Sequence, residues 1–89
     1  MIYKFEFSKA FQKQVHKLDN SIAEQIKLTV DKFTNNPSYC DWIKLKGYNN
    51  LYRIRSGNYR IIFEKNNNDN TVIILFLDVK HRREVYKNI

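Results

Sequence analysis

A chain of 89 residues, 43% hydrophobic and 28% charged, can bury one modest core and is too apolar for a disordered segment. It has no apolar run long enough for a transmembrane helix, and Met1–Glu6 lacks the basic-then-apolar layout of a signal peptide. With Cys40 as the only cysteine no internal disulfide can form, so the expectation is a single cytoplasmic domain over residues 1–89, without membrane contact. The net charge of +7 is unevenly placed. Residues 1–43 carry six lysines against five acids, whereas residues 44–89 carry ten cations against four, including every arginine of the chain. Arginine's planar fork suits phosphate, so an anionic partner is expected on the C-terminal half.

In chain order, Ile2 to Phe7 alternates as a first strand. Ser8 is a plausible N-cap, and Phe11, Val15 and Leu18 predict a short amphipathic helix over 9–18. Asp19-Asn20 breaks it. Ser21-Ile22-Ala23-Glu24 has capping-box spacing, and Ile22, Ile26, Val30 and Phe33 mark one face of a second helix ending near Asn35-Asn36-Pro37. So short a joint predicts a helical hairpin. Residues 38–50 are the least patterned, with Trp42, Ile43 and Leu45 expected at an edge of the core and a turn at Gly47–Asn50. Strands follow at 51–56, 59–65 and 71–79. The last is apolar on both faces, hence central. The fold class is α+β: an N-terminal strand, a two-helix hairpin and a three-strand antiparallel meander, with the helices on one sheet face.

The hairpin "LYRIRSGNYRIIFE", Leu51–Glu64, carries Arg53, Arg55 and Arg60. A two-residue turn at Gly57-Asn58, of type II′, pairs Arg55 with Arg60 and Arg53 with Ile62. All three arginines then share one face, expected to be open, while Tyr52, Ile54, Tyr59, Ile61 and Phe63 share the other. Like charges directly opposite on a sheet cost stability, and such a local violation marks a functional place. The bland reading has Glu64 and Asp78 neutralising the cluster. A second group, Lys80-His81-Arg82-Arg83-Glu84-Val85-Tyr86, leaves the central strand and is expected to wall the same face. Cations beside a histidine and a tyrosine point to RNA, whose phosphates take Lys and Arg and whose bases stack on rings. No Cys or His pair has metal-ligand spacing and no phosphate-binding glycine loop is present. His16 reads as surface and Cys40 as structural.

"LKG" at 45–47, the hairpin at 51–64 and "HRREVY" at 81–86 together resemble the RelE/ParE superfamily of bacterial toxins, and within it the RelE-like mRNA interferases. The resemblance covers nearly the whole chain. It implies an operon-encoded antitoxin that masks the basic face, and no cofactor or metal. It also implies cleavage of mRNA in the ribosomal A site, with the 2′-hydroxyl attacking the adjacent phosphate to leave a 2′,3′-cyclic phosphate and a 5′-hydroxyl. Arg60 then stabilises the transition-state charge, and Arg53, Arg55, Arg82 and Lys46 hold the RNA backbone. In some relatives the position of Arg55 is a lysine proposed as general base. Arginine is a poor base, so His81 is the natural substitute, with Lys80 supplying charge or a proton to the leaving group. Tyr86 orients the phosphate or stacks on a base, and Arg83 is solvated surface. ParE-like relatives share the scaffold but poison DNA gyrase, so gyrase inhibition stays open, as does a non-catalytic RNA-binding module.

Overall fold

The structure, a computed structural model, describes residues 2–83 apart from the side chain of Tyr39. Strand β1 (Ile2–Phe7) leads into helices α1 (Lys9–Lys17) and α2 (Asn20–Asn35), then a 3-10 turn at Pro37–Tyr39. Strands β2 (Trp42–Lys44), β3 (Leu51–Ser56), β4 (Tyr59–Asn68) and β5 (Thr71–His81) follow. The sheet order is β1-β5-β4-β3-β2. The meander β3-β4-β5 and the helix pair are as expected. So is the hairpin register, with Arg55 opposite Arg60 and Arg53 opposite Ile62. Gly57 has φ +60 while Asn58 does not enter the positive region, which fits a type II′ turn.

Three features depart from the sequence reading. β1 joins the sheet parallel to β5, at the edge opposite β2. The helix pair therefore carries the chain from one edge of the sheet to the other across a single face. Residues 42–44 form a short strand against β3, because Trp42 finds Phe33 and Phe63 as ring partners there. Finally, α2 starts two residues earlier than the Ser21–Glu24 spacing predicts, with Asp19 at the N-cap and no side-chain cap bond. Ser8, by contrast, caps α1, its Oγ accepting from the Phe11 amide at 3.0 Å.

Aromatic packing between the helices and the sheet makes the core. Phe33 of α2 is fully buried, with ring centroids of Phe5, Trp42, Phe63 and Phe76 at 5.2–6.0 Å. Ile54, Ile61, Val72 and Ile74 complete the buried sheet face, and Phe11, Ile26 and Val30 come from the helices.

One irregularity sets the phase of β5. Ile62 faces Asp78 while Phe63 faces Phe76, so Leu77 is an extra residue in β5. Val72, Ile74 and Phe76 point to the helices before it; Val79 does so after it. Beside the bulge β5 runs past the end of β1, and backbone groups there are taken up by α1 and its cap. Gln14 Oε1 accepts from the Val79 amide at 2.6 Å, Ser8 Oγ donates to the Leu77 carbonyl at 3.3 Å, and the Ser8 amide donates to the Phe76 carbonyl at 3.0 Å.

Replacing Gln14 by Leu leaves the Val79 amide unpaired and is expected to cost about 1–3 kcal/mol. Ile61→Ala, at a fully buried site, is expected to cost about 2–5 kcal/mol, and Lys13→Ala, on the exposed side of α1, under about 0.5. Urea unfolding of the three variants checks the order.

Candidate nucleic-acid interface

The helix-free side of the sheet carries the cations. Arg55 of β3 pairs in register with Arg60 of β4, and Arg60 with Lys80 of β5. Three cations therefore stand in a row across three strands, at neighbour spacings of roughly 4.5–5.5 Å between Cβ atoms. Arg53 lies two residues along β3, opposite Ile62, which in turn faces Asp78. Asp78 pairs with Lys80, Oδ2 to Nζ at 3.4 Å, both side chains about one-quarter exposed. Glu64 is engaged elsewhere, accepting from Asn66 Nδ2 at 2.8 Å. The expected neutralisation by Glu64 and Asp78 thus reaches Lys80 through Asp78 but not Arg60.

Arg60 itself departs from expectation. Its side chain is not open to solvent but only 4% exposed, and Ile62 beside it is equally buried. The helix-free face is thus only partly open, since Leu45 is buried as well and Leu51, Ile73 and Leu75 are half-buried. One guanidinium nitrogen, Nη1, donates to the carbonyls of Gly57 and Tyr59 at 3.0 Å each. Among the described residues Nε has no hydrogen-bond partner and no carboxylate pairs with the group. A buried cation with carbonyl acceptors but no anion is costly and asks for a negative partner.

Not all the expected site residues meet here. His81 pairs with Tyr59, not with an arginine, and its ring stands edge-on to Tyr59 at 5.3 Å. By the pleat it projects to the face opposite Arg60 and Lys80. The expectation that His81 walls the arginine face is therefore corrected, and the bulge at Leu77 is the reason. Arg82 is exposed beside the hairpin turn, its amide donating to the Asn58 carbonyl at 2.8 Å. Lys46 sits in the turn before β3, near Leu51, about 13 Å along the strand from Arg55 and away from the row. Arg83 is exposed, its amide donating to His81 Nδ1 at 3.3 Å. Tyr86 lies outside the described residues.

Arg53 and Arg55 also line a cleft of about 450 Å³ at the β3 edge, with Thr29, Lys32, Cys40 and Asp41. Burial pushes the Cys40 thiol up, with Lys32 opposing and Asp41 reinforcing the shift, so it is no thiolate nucleophile at neutral pH. His16 is exposed on α1. Among the described residues no group of three or more His, Cys, Asp and Glu is placed to hold a metal ion. None of their helices is long and apolar enough to cross a membrane.

Sequence reasoning passed over three residues that support this region. Gln25 and Thr29 of α2 and buried Ser56 of β3 form a hydrogen-bonded knot behind the hairpin turn. A glutamine on a helix carries no pattern that distinguishes it from solvated surface, so no signal was there to find.

Comparison with known proteins agrees with the geometry. Residues 5–86 match the family described as the ParE toxin of the type II toxin-antitoxin system parDE. Toxin RelE3 of Methanocaldococcus jannaschii is 39% identical over 87 residues, covering 93% of this chain and 94% of its own length. Among solved structures, the RelB-RelE antitoxin-toxin complex from Methanococcus jannaschii aligns at a TM-score of 0.64 and 38% identity, over 92% of this chain and 95% of that one. The archaeal RelE-RelB complex from Pyrococcus horikoshii aligns at 0.65 and 30% identity, over 92% and 97%. A match across nearly the whole domain makes this chain a member of the RelE/ParE toxin family of type II toxin-antitoxin systems.

Proposed function

We propose that the chain is an RNA-cutting toxin, acting on mRNA at the ribosome without a metal and held inactive by a cognate antitoxin that covers the cationic face. The observation that carries this reading is the buried guanidinium of Arg60, which has no anionic partner among the described residues and is flanked in register by Arg55 and Lys80. Such a row costs the fold stability and gains an anion when a phosphate arrives. The resemblance to RelE toxins solved with RelB antitoxins supports the partner. Messenger RNA and ribosomes place the activity in the cytoplasm.

In this reading the RNA 2′-hydroxyl loses its proton to water and attacks its own 3′ phosphate, the bond to the 5′-oxygen breaks and that oxygen takes up a proton, and a 2′,3′-cyclic phosphate and a 5′-hydroxyl result. Charge builds on the non-bridging oxygens, which Arg60 and Arg55 stabilise. Lys80, on the same face, gives charge or a proton to the departing 5′-oxygen. His81, across the strand from this row, reaches the same phosphate only round the end of the sheet. Lys80 therefore takes precedence over His81 in proton transfer. Exposed Arg55 and Arg82 meet the backbone first, and contact with Arg60 follows a local opening of the sheet face. Tyr86 keeps the orienting or stacking role that the resemblance implies.

A second reading, inhibition of DNA gyrase without cleavage, is favoured by the ParE description of the matching family and by the burial of Arg60.

Primer extension on ribosome-bound mRNA separates the two. Discrete new ends are expected with the wild type. They should be lost in Arg60→Met and fall at least tenfold in Lys80→Met, with a smaller loss in His81→Ala. No new ends, together with inhibited supercoiling by gyrase, would move the function to the second reading. Thermal unfolding of Arg60→Met gives an independent check. Replacing an unpaired buried charge by an apolar side chain should leave stability within about 1 kcal/mol of wild type or raise it. A much larger loss would make Arg60 a structural residue.

A further inference from the structure

We propose that Gln25 of α2 is a positioning residue that holds the Arg60 guanidinium in place through the hairpin turn. This inference rests on the reading of the chain as an RNA-cutting toxin for its effect on rate, though not for its effect on Arg60 itself.

The contacts form an unbroken chain. Gln25 Nε2 donates to the Ser56 carbonyl at 2.7 Å, a short bond to the last residue of β3. The Thr29 and Ser56 hydroxyls are 2.6 Å apart, and Thr29 also donates to the Gln25 carbonyl at 3.0 Å. Ser56 is 3% exposed while Gln25 and Thr29 are half-buried, so this knot is partly shielded from water, where polar contacts gain strength. The next residue is Gly57, whose carbonyl is one of the two acceptors of Arg60 Nη1. The other is Tyr59, two residues further on. The Asn58 carbonyl between them takes the Arg82 amide.

Gly57 is the soft point of this chain. A glycine at φ +60 has the widest backbone freedom of any residue, and left alone it would let the turn flex and swing the Gly57 carbonyl away from Arg60. Gln25 removes that freedom twice. It fixes the peptide group on the N-terminal side, and its amide packs where a Gly57 side chain would begin, since a Cβ there would lie 2.7 Å from Nε2. Helix α2 is in turn anchored by buried Ile26, Val30 and Phe33, so the grip has a rigid base. A guanidinium that has, among the described residues, two carbonyl acceptors and no partner at Nε has few other restraints there, and positioning errors near 1 Å can cost about 100-fold in rate.

The test uses Gln25→Met, which keeps the length and removes the donor, with Gln25→Lys returning a donor and Thr29→Val loosening only the hydroxyl contact. Two readouts are taken on each full-length protein. The first is hydrogen exchange of the Arg60 Nε–H, followed by NMR alongside the core amides. The second is kcat and KM for cleavage of ribosome-bound mRNA. Gln25→Met is expected to speed Arg60 exchange at least tenfold with the core amides unchanged. It should lower kcat at least tenfold with KM within twofold, because the exposed cations that attract RNA are untouched. Gln25→Lys should recover most of both losses, and Thr29→Val should lie between. Arg60 exchange equal to wild type in Gln25→Met would overturn the inference, as would uniformly faster exchange of the core amides, which marks a purely structural role. A wild type that cuts nothing would sink the functional reading alone, because the exchange readout still decides whether Gln25 holds Arg60.

Discussion

One extra residue in β5 decides what this sheet presents to its surroundings. Strict alternation from Phe76 would send Asp78 and Lys80 under the helices and leave Val79 and His81 on the other face. The bulge at Leu77 reverses that phase. Val79 stays in the core, Lys80 comes to stand beside Arg60, and His81 crosses to the side of Tyr59. Beside the bulge β5 runs past the end of β1, and the backbone groups left there have to be paired if they are buried. Gln14 and the Ser8 cap supply the partners. The cationic row is therefore a consequence of the bulge, which lies next to where α1 meets the sheet, and not of strict alternation along the strand.

The row is held against electrostatic cost. Arg55, Arg60 and Lys80 are neighbours across the ladder, and only Lys80 is answered by a carboxylate within the row's own strands, that of Asp78. At the centre, Arg60 is buried with carbonyl dipoles for company. Carbonyls orient a guanidinium but do not cancel its charge. A protein selected for stability alone would place an apolar residue there, next to Ile62. Retaining the charge makes physical sense where an anion arrives from outside, as RNA or as an acidic segment of a protein partner.

Both helices support this face from behind the sheet, each through a glutamine. Gln14 pairs the amide of Val79 at the bulge, and Gln25 grips the carbonyl of Ser56 at the hairpin turn. One fixes which residues of β5 face outward; the other fixes where β3 ends and β4 begins. The two helices are thus more than a cover for apolar surface. Their aromatic and aliphatic faces hold them rigid, and single polar side chains transmit that rigidity to the backbone beneath the cations.

The sequence by itself determined the parts governed by local periodicity. Alternation gave β1, β3 and β4, spacing gave the two helices, and Gly57-Asn58 with its flanking residues set the hairpin register down to Arg55 opposite Arg60. These depend on neighbours within a few positions, where turn chemistry and amphipathic pattern act directly. Tertiary structure decided the rest. Nothing local indicates that β1 pairs parallel with β5, because that contact joins residues some seventy positions apart. The face of Lys80 and His81 depended on a bulge that an all-apolar strand disguises, since Leu75, Phe76 and Leu77 read alike on either side. The burial of Arg60 was equally hidden. An arginine in an alternating strand reads as solvent-facing, and only the packing around Ile62 and the turn carbonyls shows that it is not.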